Sequence, residues 1–160
     1  MSAHTYCATV EWHHDVAAVD FGAGRYSRRH LLRFDGGLEV AASAAVANVP
    51  LPWSDPAALD PEEAYVASIA SCHLLWFLAL AAKSRFVVRS YRDEAVGLMT
   101  PNAAGKLWVS QVTLRPATRF SGTRTPTHEQ LIALHHRAHE ECFIANSVKT
   151  EIVCEPTLLS

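Results

Sequence analysis

Apolar and polar positions alternate through the first quarter of the chain, then yield to one long uncharged run. Tyr6, Ala8, Val10 and Trp12 keep a two-residue period and predict a first strand. After the Gly22-Ala23-Gly24 break, Tyr26, Arg28, His30, Leu32 and Phe34 share one parity, while Arg25, Ser27, Arg29, Leu31 and Arg33 share the other. In a strand the two sets point to opposite faces. Asp35-Gly36-Gly37 predicts a hairpin turn, and Leu38 to Ala45 the returning strand. Pro50, Pro52, Pro56 and Pro61 make residues 46–61 an irregular connection.

Asp60 supplies an N-cap and Pro61 suits the first helical position, with Glu62 and Glu63 favourable to the helix dipole. The spacing predicts a helix to Ala82 or Lys83. Val87 to Met99 is predicted as one long strand, Pro101-Asn102 with Gly105 as a turn, and Leu107 to Leu114 as a strand ended by Pro116. Thr127 caps a second helix running to about Cys142, and Val148, Thr150, Ile152 and Cys154 alternate as a last strand. The expected class is therefore α+β in the order βββ-α-ββ-α-β, with a central buried helix against a mixed or antiparallel sheet, and one domain over residues 1–160.

Ala64 to Ala82 contains no Asp, Glu, Lys or Arg. Its length approaches a membrane span, but Tyr65, Ser68, Ser71, Cys72 and His73 favour a helix buried in protein. A helix apolar almost all round needs cover on more than one side. One sheet from this chain covers one side, so the other is expected to meet a second copy in a homodimer.

Composition narrows the functional classes. Half the residues are apolar (49%) and the formal net charge is −2, which gives no electrostatic case for nucleic acid or an anionic membrane. No basic segment followed by an apolar core opens the chain, so a cytoplasmic protein is expected. Cys7, Cys72, Cys142 and Cys154 form no CxxC pair; reduced or reactive thiols are expected rather than structural disulfides. There is no phosphate loop, G-x-S-x-G elbow or H-E-x-x-H, and no cofactor is expected.

Cys72 shares a helical stripe with Tyr65, Ile69, Trp76 and Ala79. Position alone leaves two readings, a small core residue or a reactive thiol. Ten residues into the helix it gains little from the dipole, so reactivity at neutral pH requires a nearby cation. Arg28, on the parity of Tyr26, Leu32 and Phe34, is either an inward guanidinium that must be paired or an exposed edge arginine. Glu62 lies about 15 Å along the helix from Cys72, so the two cannot touch within one helix. An extended arginine or a dimer partner would have to join them. His135, His139 and Cys142 offer zinc-type ligands without a fourth; surface histidines are the other reading, and no metal is expected. Cys7 and Cys154 fall in predicted strands and are taken as structural.

Pro61-Glu62-Glu63 leading through Ala67, Ser68, Ala70 and Ser71 to Cys72-His73 resembles the signature helix of the OsmC/Ohr family, the osmotically induced and organic-hydroperoxide-resistance proteins. His139-Glu140-Glu141-Cys142-Phe143-Ile144-Ala145-Asn146-Ser147 resembles that family's segment around its second cysteine. The resemblance implies an intertwined homodimer with active sites at the subunit interface, acting as a thiol-dependent peroxidase on organic hydroperoxides. Cys72 would be the peroxidatic cysteine and Cys142 the resolving one. Glu62 would orient the family's arginine, assigned to Arg28 with Arg25 as the alternative, and an external dithiol would recycle the disulfide. A non-catalytic thiol sensor or ligand-binding dimer on the same fold is the second reading. Trp76, Phe77, Tyr65 and Phe143 are the apolar residues expected around the thiol.

Overall fold

The computed structural model describes residues 3–14 and 20–159. The chain forms two compact units, one through Ala64 and one from Tyr65 onward.

In the first unit, β1 (Ala8–Glu11), β2 (His30–Phe34) and β3 (Glu39–Ala42) form an antiparallel sheet in that order. Ala8 faces Phe34 and Glu11 faces Leu31, while His30 faces Ala42 and Arg33 faces Glu39. The hairpin turns at Gly37, whose φ of 81° suits a residue without a Cβ. The expected β2 is shortened at its start. Asp20 accepts a hydrogen bond from the Ala23 N–H and closes a 3₁₀ turn at Phe21–Ala23, so residues 20–29 loop instead of extending. Residues 46–60 are irregular, as the prolines require, and Leu59 returns to make a parallel bridge with Ala42.

The helix α1 (Pro61–Lys83) has the expected bounds. Asp60 Oδ1 accepts from the Glu63 N–H at 2.7 Å, and Glu63 Oε2 reaches back to the Asp60 N–H, a reciprocal cap that fixes where the helix starts. The second helix, α2 (His128–Glu141), carries the same device between Thr127 and Gln130.

The second unit holds two further three-stranded sheets. The expected single strand at Val87 to Met99 is two strands, β4 (Val87–Asp93) and β5 (Val96–Pro101), and they belong to different sheets. After β6 (Leu107–Leu114), Pro116 does not end the β-structure but opens β7 (Pro116–Ser121). Proline at the first residue of a strand is tolerated because its missing N–H is not needed there. Asp93 pairs with Pro116 and Val96 with Thr113, so one long hairpin changes sheets on both strands at the same level. Asp93 Oδ1 accepts from the Arg115 N–H at 2.6 Å and holds that corner. The expected last strand is β8 (Glu151–Cys154), parallel to β6, and it is followed by an unexpected β9 (Thr157–Leu159), parallel to β7. The blocks keep the expected order of three strands, helix, strands, helix, strands. The strand count is higher because bends subdivide the later ladders.

Two apolar clusters organise this unit. Phe77, Leu80 and Ala81 of α1 pack with Phe86, Phe120 and with Leu131, Leu134 and Ala138 of α2. Ile69 packs with Val112 and Leu114 of β6. By length and composition alone α1 could cross a membrane, yet these contacts make it a core helix of the unit. Its close seating on β5 depends on Gly97. A Cβ built there falls 2.6 Å from Val66 Cγ2, and a β-branched side chain on a helix has little rotamer freedom to withdraw. Gly97→Ala is therefore expected to lower stability by about 1–3 kcal/mol. Adding Val66→Ala recovers part of the loss, measured as a non-additive double-mutant cycle in denaturant unfolding.

Candidate functional site

The C-terminus of α2 sets one half of the site. Cys142 is the C-cap residue, with its N–H bonded to His139 O at 3.3 Å. Asn146 then ties the following turn. Its side-chain amide donates to Glu140 O at 2.8 Å and to Cys142 O at 3.0 Å, and its backbone N–H bonds to the same Cys142 carbonyl. Ser147 Oγ donates to Phe143 O, and the Ala145 N–H points at Cys142 Sγ, 3.4 Å away. The thiol is 1% exposed and rigidly placed.

The other half comes from the middle of α1, where the Cys72 thiol lies beside that of Cys142. Both cysteines are reduced. Burial, then the bond to Cys72, push the Cys142 thiol up to about 11. At neutral pH Cys142 therefore keeps its proton. Cys72 opens onto a cavity of about 520 Å³ lined by Ser68, Ser71, Leu75, Trp76, Phe143 and Ile144, among others. Trp76 and Phe143 meet edge-to-face at 5.4 Å. Two of the residues expected around the thiol lie elsewhere. Tyr65 is turned to Thr150, with its hydroxyl 2.6 Å from Thr150 Oγ1, and Phe77 is fully buried in the cluster with α2.

The remaining expected site residues belong to the first unit. Arg28 precedes β2 and is half-buried. Its guanidinium donates to the carbonyls of Gly24 and Tyr26 and stacks on the Tyr26 ring at 3.6 Å. It lines a cavity of about 430 Å³ with Trp12, Phe21, Tyr26, His30 and Pro61. Arg25, the alternative, is exposed and ion-paired with Asp20 at 3.2 Å. Glu62 Oε1 accepts from Asn48 at 3.2 Å, while its Oε2 is buried without a hydrogen-bond partner. Among the described residues no ion pair joins Arg28 to Glu62.

The histidines are arranged differently from their spacing. His136 is exposed beside Glu140 at 3.4 Å. His135, however, is 2% exposed and faces His73, with Nε2 of His73 2.9 Å from Nδ1 of His135 and the rings stacked within 2°. Phe77 stacks on the other side of His135 at 4.2 Å. Burial, with a smaller contribution from His139, pushes His73 down to about 4, and burial next to His73 pushes His135 down to about 3. Both are neutral at pH 7. Cys154 Sγ lies 3.8 Å from His73 Nε2, and burial, then Asp93, push that thiol up to about 12. The residues that the structure brings together are His73, His135 and Cys154, not the His135, His139 and Cys142 that helical spacing alone offers. The available signal was two histidines on apolar helix faces, His73 among Ile69, Phe77 and Leu80, and His135 among Leu131, Leu134 and Ala138. Cys7, expected in a strand, is exposed just before β1.

Comparison with known proteins agrees with this architecture. Residues 54–157 match the family model described as OsmC-like protein. An OsmC-like protein of unknown function from Vibrio cholerae is 49% identical, with a TM-score of 0.93 over 96% of this chain and 99% of that one. An organic hydroperoxide resistance protein from Elizabethkingia anophelis shares the fold at 16% identity and a TM-score of 0.67, over 98% of this chain and 96% of that one. The organic hydroperoxide resistance protein OhrB of Bacillus subtilis does so at 17% identity and 0.64, over 98% of each chain. No curated protein matches the chain. With the family model spanning well over half its length and a fold common to all of these structures, the chain belongs to the OsmC-like family.

Proposed function

We propose that this protein is a thiol-dependent peroxidase that reduces organic hydroperoxides, with Cys72 as the peroxidatic and Cys142 as the resolving cysteine. The observation that carries the reading is the proximity of the two thiols, one buried, the other facing an apolar cavity. Cys72, as thiolate, attacks the distal peroxide oxygen; the O–O bond breaks, the alkoxide takes a proton and leaves as an alcohol, and Cys72 becomes a sulfenic acid. The Cys142 sulfur then attacks the sulfenic sulfur, forming the disulfide and releasing water. An external dithiol reduces the disulfide by exchange. Arg28 is the cation proposed to hold the thiolate, since Arg25 is already paired in solvent, and Glu62, with one buried carboxylate oxygen unpartnered, is proposed to orient it.

The proposed assembly is a homodimer. Leu75 is 63% exposed and Phe143 68% exposed, an apolar surface around the thiol that a second copy of the chain would cover. The hydroperoxide-resistance names borne by relatives of the same fold point to the same substrate class.

Reduced protein treated with one equivalent of cumene hydroperoxide is expected to lose two hydrogens, mapped by peptide mass to a Cys72–Cys142 disulfide. Cys142→Ser is expected to stop at the Cys72 sulfenic acid and Cys72→Ser to leave every thiol unreacted. Clean oxidation of Cys72 without turnover under saturating dithiol would instead identify a thiol sensor. Because the cavity is apolar, kcat/KM for cumene hydroperoxide should exceed that for hydrogen peroxide by at least about tenfold; equal values would remove the cavity from the argument. Arg28→Ala should slow Cys72 oxidation roughly 100-fold in stopped flow, whereas Arg25→Ala leaves the rate within about twofold.

A further inference from the structure

Three metal-ligating side chains outside the thiol pair converge inside the second unit. His73 on α1, His135 on α2 and Cys154 at the end of β8 each place one donor atom within 4.8 Å of the other two. They come from three different elements, so local spacing does not explain the meeting. The two imidazoles are almost wholly buried, and each leaves its other nitrogen, Nδ1 of His73 and Nε2 of His135, without a hydrogen-bond partner. Two adjacent buried imidazoles whose outer nitrogens have no partner cost free energy, since neither has the full set of partners it would find in water. Cys154 is half-buried, which leaves one side of the cluster open to entry.

We propose that His73, His135 and Cys154 form a three-coordinate site for a single copper(I) ion. The ion's charge follows from that of the pocket. Coordination displaces the Cys154 proton to solvent, so one thiolate and two neutral imidazoles carry a charge of −1, and a monovalent cation makes the site neutral. A divalent ion leaves an uncompensated positive charge in a desolvated place unless a fourth, anionic ligand joins. The nearby carboxylate, Asp93, accepts from the Arg115 N–H at Oδ1 and has its Oδ2 buried without a partner, but it is not one of the donors that lie within 4.8 Å of one another. Thiolate and imidazole are also the donors a soft monovalent ion selects.

The geometry needs little change. At metal–nitrogen bonds near 2.0 Å and a metal–sulfur bond near 2.3 Å, a trigonal ion holds its nitrogens about 3.5 Å apart and each nitrogen about 3.7 Å from sulfur. The sulfur of Cys154 is already 3.8 Å from His73 Nε2; the two nitrogens, at 2.9 Å, must separate by roughly half an ångström. The hydrogen bond between the imidazoles is replaced by two bonds to the metal. One ring changes tautomer, and neither loses a net proton.

The test uses full-length reduced protein carrying Cys7→Ser, Cys72→Ser and Cys142→Ser, so that Cys154 is the sole thiol. Anaerobic titration with copper(I) against a colorimetric chelator is expected to give one ion per chain. X-ray absorption should then show one sulfur and two imidazole nitrogens. Adding Cys154→Ser should weaken binding more than about 100-fold. A stoichiometry below one, or a sulfur shell without imidazole, overturns the site. If the multiple variant does not fold, wild-type protein is compared with Cys154→Ser alone. A difference of one copper per chain supports the site, and equal uptake overturns it.

Discussion

The absence of charge from Ala64 to Ala82 of α1 is the constraint on which the second unit is built. A helix with one apolar stripe can lie on a sheet and leave its back in water. This one cannot, because its apolar residues continue around the barrel of the helix. Accordingly Ile69 goes to β6, while Phe77, Leu80 and Ala81 go to α2 and its neighbours. The surface bearing Leu75 and Cys72 is left facing a cavity. Burial of the first two surfaces fixes the helix in rotation and in height, and so fixes where the sulfur of Cys72 stands relative to the end of α2.

That placement makes the thiol pair asymmetric. Cys142 is anchored by its own backbone turn and by Asn146, whose amide satisfies two carbonyls that the end of a helix would otherwise leave open. It is shielded and keeps its proton. Cys72 borders a space large enough for an organic molecule and walled mostly by carbon.

Much of this was legible in the chain because its strongest signals are local. Asp60, Pro61 and Glu63 write the start of α1 in cap chemistry, Thr127 and Gln130 do the same for α2, and both helices have the bounds those residues dictate. The strands were less legible where a tertiary contact decides the outcome. Nothing in Val87 to Met99 announces that the strand changes sheets near Glu94; the bond from the Arg115 N–H to Asp93 does that, from twenty-two residues away. Pro116 reads as a stop because a proline inside a ladder usually is one, yet at the first position of β7 it is harmless. The parity argument carried Arg28 into a strand because it could not register the turn that Asp20 closes upstream. The histidines misled for a related reason. Spacing relates residues on one helix, and the partner of His135 lies on another.

Cys72 and His73 are neighbours in sequence but belong to separate environments, since each residue along a helix turns the side chain by about 100°. The helix thus works as a partition, with an open cavity on one side and a cluster of buried imidazoles on the other. Its reading frame is as much a determinant as its composition. Inserting one residue between the cap at Asp60 and Cys72 would leave the sequence almost unchanged and the helix as stable on paper. It would also carry the sulfur into the buried place of His73 and bring Ser71 to the place of Cys72.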